Sequence, residues 1–342
     1  MLKELFTLLM GHYSKDTFLV TKLRKKIENA FGIYYSRPYF SLVTLISCFL
    51  FIVLFAGCIS SDKQKGQAVS LFTVDHNKTE GTISVLRANG KTLVLTQNAR
   101  AGIRPYIHPV VAPDGKGQLT EYSPAHHKHQ TGLYWGLKQV NGRDFFMNWR
   151  EEHWRRISAD VLDANGPRVK WRTVYQLLDE NGGAILDETQ TWTFEEREGK
   201  YLLNLEWTGK AKIDLTMGKF YVGGLFVRMP WRQGMVGEVV NAAGQRNGMA
   251  EGQRAIWNDI GLQVNGRNDL AHIAILDHPD NEVFPTPWRV DNELGVGPSR
   301  QILGDWSLAQ GKAEIFRFRV IVYTGDHNPA EVNRIWKEFV CE

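Results

Sequence analysis

The chain has 342 residues, 43% hydrophobic and 23% charged, with a formal net charge of +4. That excess belongs to the first 57 residues, which hold seven Lys or Arg against three Asp or Glu; the remainder is neutral. A basic nucleic-acid surface is therefore excluded as an expectation, and the remainder is long enough to bury roughly 75% of its unfolded surface without a disulfide staple.

In chain order, the first element is a sixteen-residue apolar run, Leu42 to Gly57, preceded by Lys22, Arg24, Lys25, Lys26 and Arg37. It is too short for a comfortable membrane span and ends in Phe55-Ala56-Gly57-Cys58, small residues just before a cysteine. The junction resembles the lipobox of bacterial lipoproteins, with Phe55 where Leu is usual. The resemblance implies lipidation at Cys58 and a membrane anchor outside the cytoplasm, at the outer membrane or in the periplasm. An uncleaved signal anchor is the alternative. With Cys48 in the leader and Cys58 acylated, no intramolecular disulfide is expected. The layout reads as a leader over 1–57, a lipidated polar tether over 58–68 and a single domain over 69–342.

From Val69 onward the hydrophobic period is two. Tyr201, Leu203, Leu205 and Trp207 alternate with Leu202, Asn204 and Glu206, and Phe316, Phe318, Val320 and Val322 with Ile315, Arg317 and Arg319. Turn signals punctuate the strands: Ala88-Asn89-Gly90, Pro113-Asp114-Gly115, Val140-Asn141-Gly142, Asn181-Gly182-Gly183 and Val264-Asn265-Gly266. Many short strands with such turns predict an all-β antiparallel sandwich or barrel. One helix is predicted near the C-terminus. Asn328 caps it, Pro329 opens it, Glu331 completes a capping box, and Val332, Ile335, Trp336 and Phe339 form its apolar stripe.

Four of the ten histidines fall within residues 108–129. In Arg104-Pro105-Tyr106-Ile107-His108-Pro109 the residues before each proline favour extended backbone, so Arg104, Tyr106 and His108 share a face. Pro109 predicts an edge or a strand end there. In His126-His127-Lys128-His129-Gln130, an extended chain puts His127 and His129 on one side, with His126 on the other as a structural group. His108, His127 and His129 could transfer protons near neutral pH. The same three could hold a divalent metal, although no cofactor is required. Downstream, Asp277-His278 ends a buried strand, and a proline-stiffened loop leads to Trp288. Asp277 is expected to orient His278, Trp288 to stack on a sugar, and Arg104, Tyr106 and Arg228 to bind substrate. Arg228, within an apolar run, equally suits a structural ion pair. Tryptophans beside polar residues, such as Trp135, Trp149 and Trp154, suit carbohydrate as well as a core.

The ordered motifs Arg104-Pro-Tyr-Ile-His108-Pro, Pro124-Ala-His-His-Lys-His129-Gln-Thr-Gly132 and Val140-Asn-Gly-Arg-Asp144-Phe resemble the bacterial PmoA-like family. Asp277-His278-Pro with Asn281 and Pro285-Thr-Pro-Trp288 extends the likeness, which runs from Gly81 to Gly325. Gln130 stands where that family more often has Arg. This is a domain of unknown function labelled methane oxygenase. The resemblance implies a two-sheet antiparallel supersandwich similar to galactose mutarotase-like proteins, in carbohydrate-degrading bacteria. The reading from all these features is an exported lipoprotein that binds a carbohydrate and acts on it by histidine acid–base chemistry, as a hydrolase, lyase or epimerase. A noncatalytic glycan-binding lipoprotein and a metal-dependent oxidoreductase or hydrolase are the alternatives.

Overall fold

The computed structural model describes residues 71–342. The chain divides between Asp62 and Lys63, and every described residue lies in the second unit. The expected leader, the tether and Cys58 lie outside the described residues.

The chain forms β1 (Phe72–Asn77), β2 (Thr82–Arg87), β3 (Leu93–Asn98), β4 (Tyr106–Val110), β5 (Leu133–Gly136), β6 (Trp154–Asp163), β7 (Asn165–Gly166), β8 (Arg168–Leu178), β9 (Ala184–Arg197) and β10 (Lys200–Ala211). There follow β11 (Leu215–Met217), β12 (Gly224–Val227), β13 (Gly237–Asn241), β14 (Trp257–Leu262), β15 (Ala271–Asp277), β16 (Trp288–Val290), β17 (Val296–Pro298), β18 (Trp306–Leu308), β19 (Ala313–Thr324) and the helix α1 (Pro329–Cys341). Nine strands make one sheet in the order β16-β17-β12-β5-β4-β3-β2-β1-β7. Eight make the other, β13-β14-β15-β19-β10-β9-β8-β6, and β11 with β18 forms a small ribbon. The fold is all-β with one C-terminal helix.

Period-two patterning explains the layers. Tyr201, Leu203, Leu205 and Trp207 of β10, with Phe316, Phe318, Val320 and Val322 of β19, point inward. They meet Ile107, Leu133, Trp135, Leu225 and Val227 of the nine-stranded sheet in one core. Across that core Trp135 and Trp207 stack at 4.3 Å. The outer side of the eight-stranded sheet is also buried where α1 docks: Val332, Ile335 and Phe339 cover Leu202, Ala274, Leu276 and Ile321. The nine-stranded sheet carries a smaller apolar cluster on its own outer side, Tyr106, Tyr134, Phe146, Val222 and Phe226.

The Asn328 side chain accepts Glu331 N–H at 3.1 Å, as predicted. Glu331 does not complete the capping box, because its carboxylate takes Arg334 at 2.7 and 2.8 Å and Lys200 at 3.2 Å. In each predicted turn the glycine that follows the Asn or Asp has positive φ, and in the β-turn at Asn141-Gly142 both residues do (47° and 84°). β4 lies between β3 and β5, and Pro109 falls at its C-terminal end, as expected: β5 pairs with Tyr106 and Ile107 alone, and the β3–β4 register shifts between Leu95 and Gln97. The expectation of a chain without an intramolecular disulfide turns on Cys48 and Cys58, which lie outside the described residues. Among the described residues no helix is long and apolar enough to cross a membrane.

Candidate functional site on the outer face of the nine-stranded sheet

Alternation along the central strands decides which side chains leave the core. Ile107, Leu133, Leu225 and Val227 turn inward, so Tyr106, Tyr134 and Phe226 turn outward. Arg104 joins them, its guanidinium 3.8 Å from the centre of the Tyr134 ring. His108 follows on the same side, half-buried, its ring 5.9 Å from that of Tyr122. Thr120 Oγ1 accepts Val110 N–H and lies within hydrogen-bond distance of His108 Nδ1, at 3.1 Å. Burial lowers the His108 pKa, only partly offset by Glu121. Tyr122 is 40% exposed, stacks on Tyr106 at 5.4 Å and meets Trp149 edge-on at 6.1 Å.

The histidine-rich segment is not extended. Tyr122 bridges Thr131 and Ser123 N–H reaches Gln130 O at 2.7 Å, closing the base of a loop. Within it His127 N–H bonds Pro124 O and Gln130 N–H bonds His127 O, two successive turns. The rings of His127 and His129 remain neighbours at 5.7 Å, but His126 approaches His127 as closely, at 5.1 Å. His129 also packs on Phe146 at 5.9 Å, and among the described residues no group hydrogen-bonds its imidazole. Burial first, then the charge of Arg104, pushes the His129 pKa down to about 4, so the ring is a neutral base at ordinary pH. Gly132 lets the loop descend onto β4: its φ is +86°, and a Cβ there would lie 2.5 Å from Ile107 O.

Arg104, Tyr106 and Arg228, expected to bind substrate, are 1%, 5% and 0% exposed, and the two guanidinium groups donate to protein acceptors. Arg104 donates to Phe146 O (2.5 Å), His129 O (2.8 Å) and Thr131 Oγ1 (3.3 Å), fixing the loop from below. Arg228 donates to Gln130 Oε1, to Glu293 O at 2.5 Å and to Asp291 Oδ2 at 2.9 Å. Gln130 is thus a ligand of Arg228. The second arginine brings in a residue that sequence reasoning missed. Glu293 Oε2 lies 2.9 Å from His127 Nδ1 and 3.1 Å from His126 Nε2. Its only local signal was the turn-forming run Asp291-Asn-Glu-Leu-Gly295.

The downstream cluster stands elsewhere. His278 packs edge-on against Phe339 of α1 at 4.8 Å, on the outer side of the eight-stranded sheet, across the core from His108 and His129. Asp277 does not orient its ring. The buried carboxylate accepts Asn281 Nδ2 and Thr286 N–H, each at 2.6 Å, while His278 Nδ1 accepts Asp280 N–H at 3.1 Å. Burial raises the Asp277 pKa to about 6. Trp288 is wholly buried in the core, its Nε1–H on Ala255 O, so it offers no face for stacking. Trp135 and Trp154 are core as well, whereas Trp149 stays half-exposed beside Tyr122. The set His108, His127, His129 does not converge as one ligand group. The donor atoms that do converge are those of His126, His127 and Glu293, and separately of Asp259, His272 and His327.

Residues 84–337 match the model of a family described as "Family of unknown function (DUF6807)". The chain belongs to this family. The DUF6807 match covers the whole candidate site, and its description carries no PmoA label. No curated protein matches the chain. Among solved structures, it is similar to the galactosidase domain of the alpha-galactosidase-sucrose kinase AgaSK, at 10% identity and a TM-score of 0.36, covering 74% of this chain and 41% of that one. It is also similar to a galactose mutarotase related enzyme from Lactobacillus acidophilus (9% identity, TM-score 0.34, 75% and 99% of the two chains). A galactose mutarotase-like protein from Lactobacillus casei gives 10% identity and a TM-score of 0.35 over 74% and 100% of the chains. The DUF6807 chain thus spans about two fifths of the galactosidase's length.

Proposed function

We propose that this protein binds a carbohydrate on the outer face of the nine-stranded sheet and moves a proton to or from it with His129 and His108. One observation carries the reading: two half-buried imidazoles share a solvent-reachable face with the partly exposed rings of Tyr122 and Trp149. Aromatic faces cover the apolar side of a sugar, and a neutral imidazole takes a proton from a hydroxyl or a ring carbon. Arg104 and Tyr106 act beneath as positioning residues, Arg104 through the His129 carbonyl and Tyr106 through Tyr122. Hydrolysis, elimination and epimerisation all use such a base.

The test is titration calorimetry with an oligosaccharide panel, alongside product analysis. His129→Ala and His108→Ala should each lower turnover by roughly 10²–10⁴-fold with little change in melting temperature. Binding without product selects the second reading, a noncatalytic glycan module resting on the Tyr122–Trp149 platform. Absence of any glycan binding sinks both.

The location belongs to the same proposal: export, with a lipid on Cys58 holding the domain at a membrane outside the cytoplasm. Intact-mass analysis of protein from membranes should show a triacylated N-terminal Cys58. A chain with its leader intact and no lipid on Cys58 would end the lipoprotein reading.

A further inference from the structure

We infer that His126 Nε2, His127 Nδ1 and Glu293 Oε2 form a binding site for a first-row divalent cation such as Zn²⁺. The three donor atoms lie within 4.8 Å of one another, with Glu293 Oε2 at 2.9 Å from one imidazole nitrogen and 3.1 Å from the other. Ligands about 2.1 Å from a shared ion sit roughly 3.0 Å apart at right angles and 3.4 Å apart in a tetrahedron. The observed separations are those of neighbours in one coordination shell.

The decisive point is how these atoms face each other. His127 Nδ1 and Glu293 Oε2 are both buried, and neither has a hydrogen-bond partner, although 2.9 Å separates them. A simple ion pair would aim a ring N–H at the oxygen, and no such hydrogen bond forms here. Two buried polar atoms side by side without a hydrogen-bond partner are costly unless a third body engages both. The cluster of Asp259, His272 and His327 provides the contrast. There His327 Nδ1 meets Asp259 Oδ2 at 2.6 Å, His272 Nδ1 meets Asp259 Oδ1 at 3.2 Å, and Tyr323 adds its hydroxyl, so the acid is consumed by hydrogen bonds.

The surroundings hold the donors in place without using them. Arg228 grips Glu293 O and Gln130, Asp291 accepts Glu293 N–H at 2.9 Å, and successive turns fix His127. The nearest competing cation, Arg228 Nη1, lies 3.7 Å from Glu293 Oε2 and is balanced by Asp291. Two imidazoles and a carboxylate suit Zn²⁺, Mn²⁺ or Fe²⁺ and leave positions for water or sugar hydroxyls. With the His127 ring 5.7 Å from that of His129, an ion here would adjoin the proposed base. The inference rests on the preceding reading for the identity of the outside ligand alone.

The full chain, stripped with chelator and dialysed, is titrated with Zn²⁺ and separately with Mn²⁺ by calorimetry. One ion per chain is expected, with affinity at least 30-fold weaker in His126→Ala, His127→Ala and Glu293→Gln, and retained in His129→Ala and His278→Ala. Zn²⁺ should also raise the melting temperature of the wild type but not of Glu293→Gln. No saturable binding, or binding undiminished in the three variants, overturns the site while leaving the proton-transfer reading standing. Binding of Zn²⁺ by a protein that ignores every glycan supports the site and defeats that reading.

Discussion

Arg104 is buried, yet its guanidinium gathers Phe146 O, His129 O and Thr131 Oγ1 under one plane against Tyr134. Removing it leaves buried carbonyls unpaired, at about 1–3 kcal/mol each. Arg104→Met should therefore lose several kcal/mol in denaturant unfolding and lose turnover with it, whereas His129→Ala loses turnover alone. Equal stability losses in the two variants would make His129 a framework residue. Gly132 is a second sensitive position on the same loop. With φ at +86° and Ile107 O in the way, Gly132→Ala should destabilise by more than about 1 kcal/mol and weaken glycan binding, while Gly90→Ala, whose Cβ meets nothing within 4 Å, perturbs stability without touching binding.

α1 shows how a short element is specified twice, once by its cap and once by its stripe. Loss of the Asn328 acceptor in Asn328→Ala should cost about 1 kcal/mol. Truncation of Phe339, which covers His278 and lies 4.7 Å from the Arg319 guanidinium, should cost about 3–5 kcal/mol, both read from urea unfolding. These local rules are why the helix, the five turns, the alternating strands and the shared face of Arg104, Tyr106 and His108 were legible in the sequence. The histidine loop was less so: Pro124 starts turns there, which rotates His126 toward His127 and Glu293 instead of away from them. Asp277-His278 misled because a strand end with polar residues looks alike on either sheet, and only strand order reveals that it faces α1. Glu293 was invisible because more than 160 residues separate it from its imidazole neighbours, and proximity of that kind leaves no spacing to read.

Across the whole molecule, buried carboxyls pull the pH dependence of stability in two directions. Burial raises Glu188 and Glu314 to about 7 and Asp277 to about 6. Their contribution is complete below the unfolded values near 4 and is lost as pH climbs through 6 to 7. Arg334 holds Glu331 down at about 2, and His272 and His327, against the cost of burial, help hold Asp259 below its usual value. The stability from these two is complete above the unfolded values and disappears as pH falls through the depressed ones. The melting temperature should therefore peak near pH 4 to 5 and fall toward pH 7, and Glu188→Gln should flatten that fall. A melting temperature that climbs steadily from pH 4 to 8 would refute this balance. The grip of Arg104 and Arg228 on the histidine loop has a different kind of consequence. Arg104 holds it by the His129 carbonyl and the Thr131 hydroxyl and Arg228 by the Gln130 side chain, neither by an imidazole. The scaffold is a socket and the three rings are interchangeable fittings, so a handful of codons could re-tool the chemistry while the sandwich stays as it is.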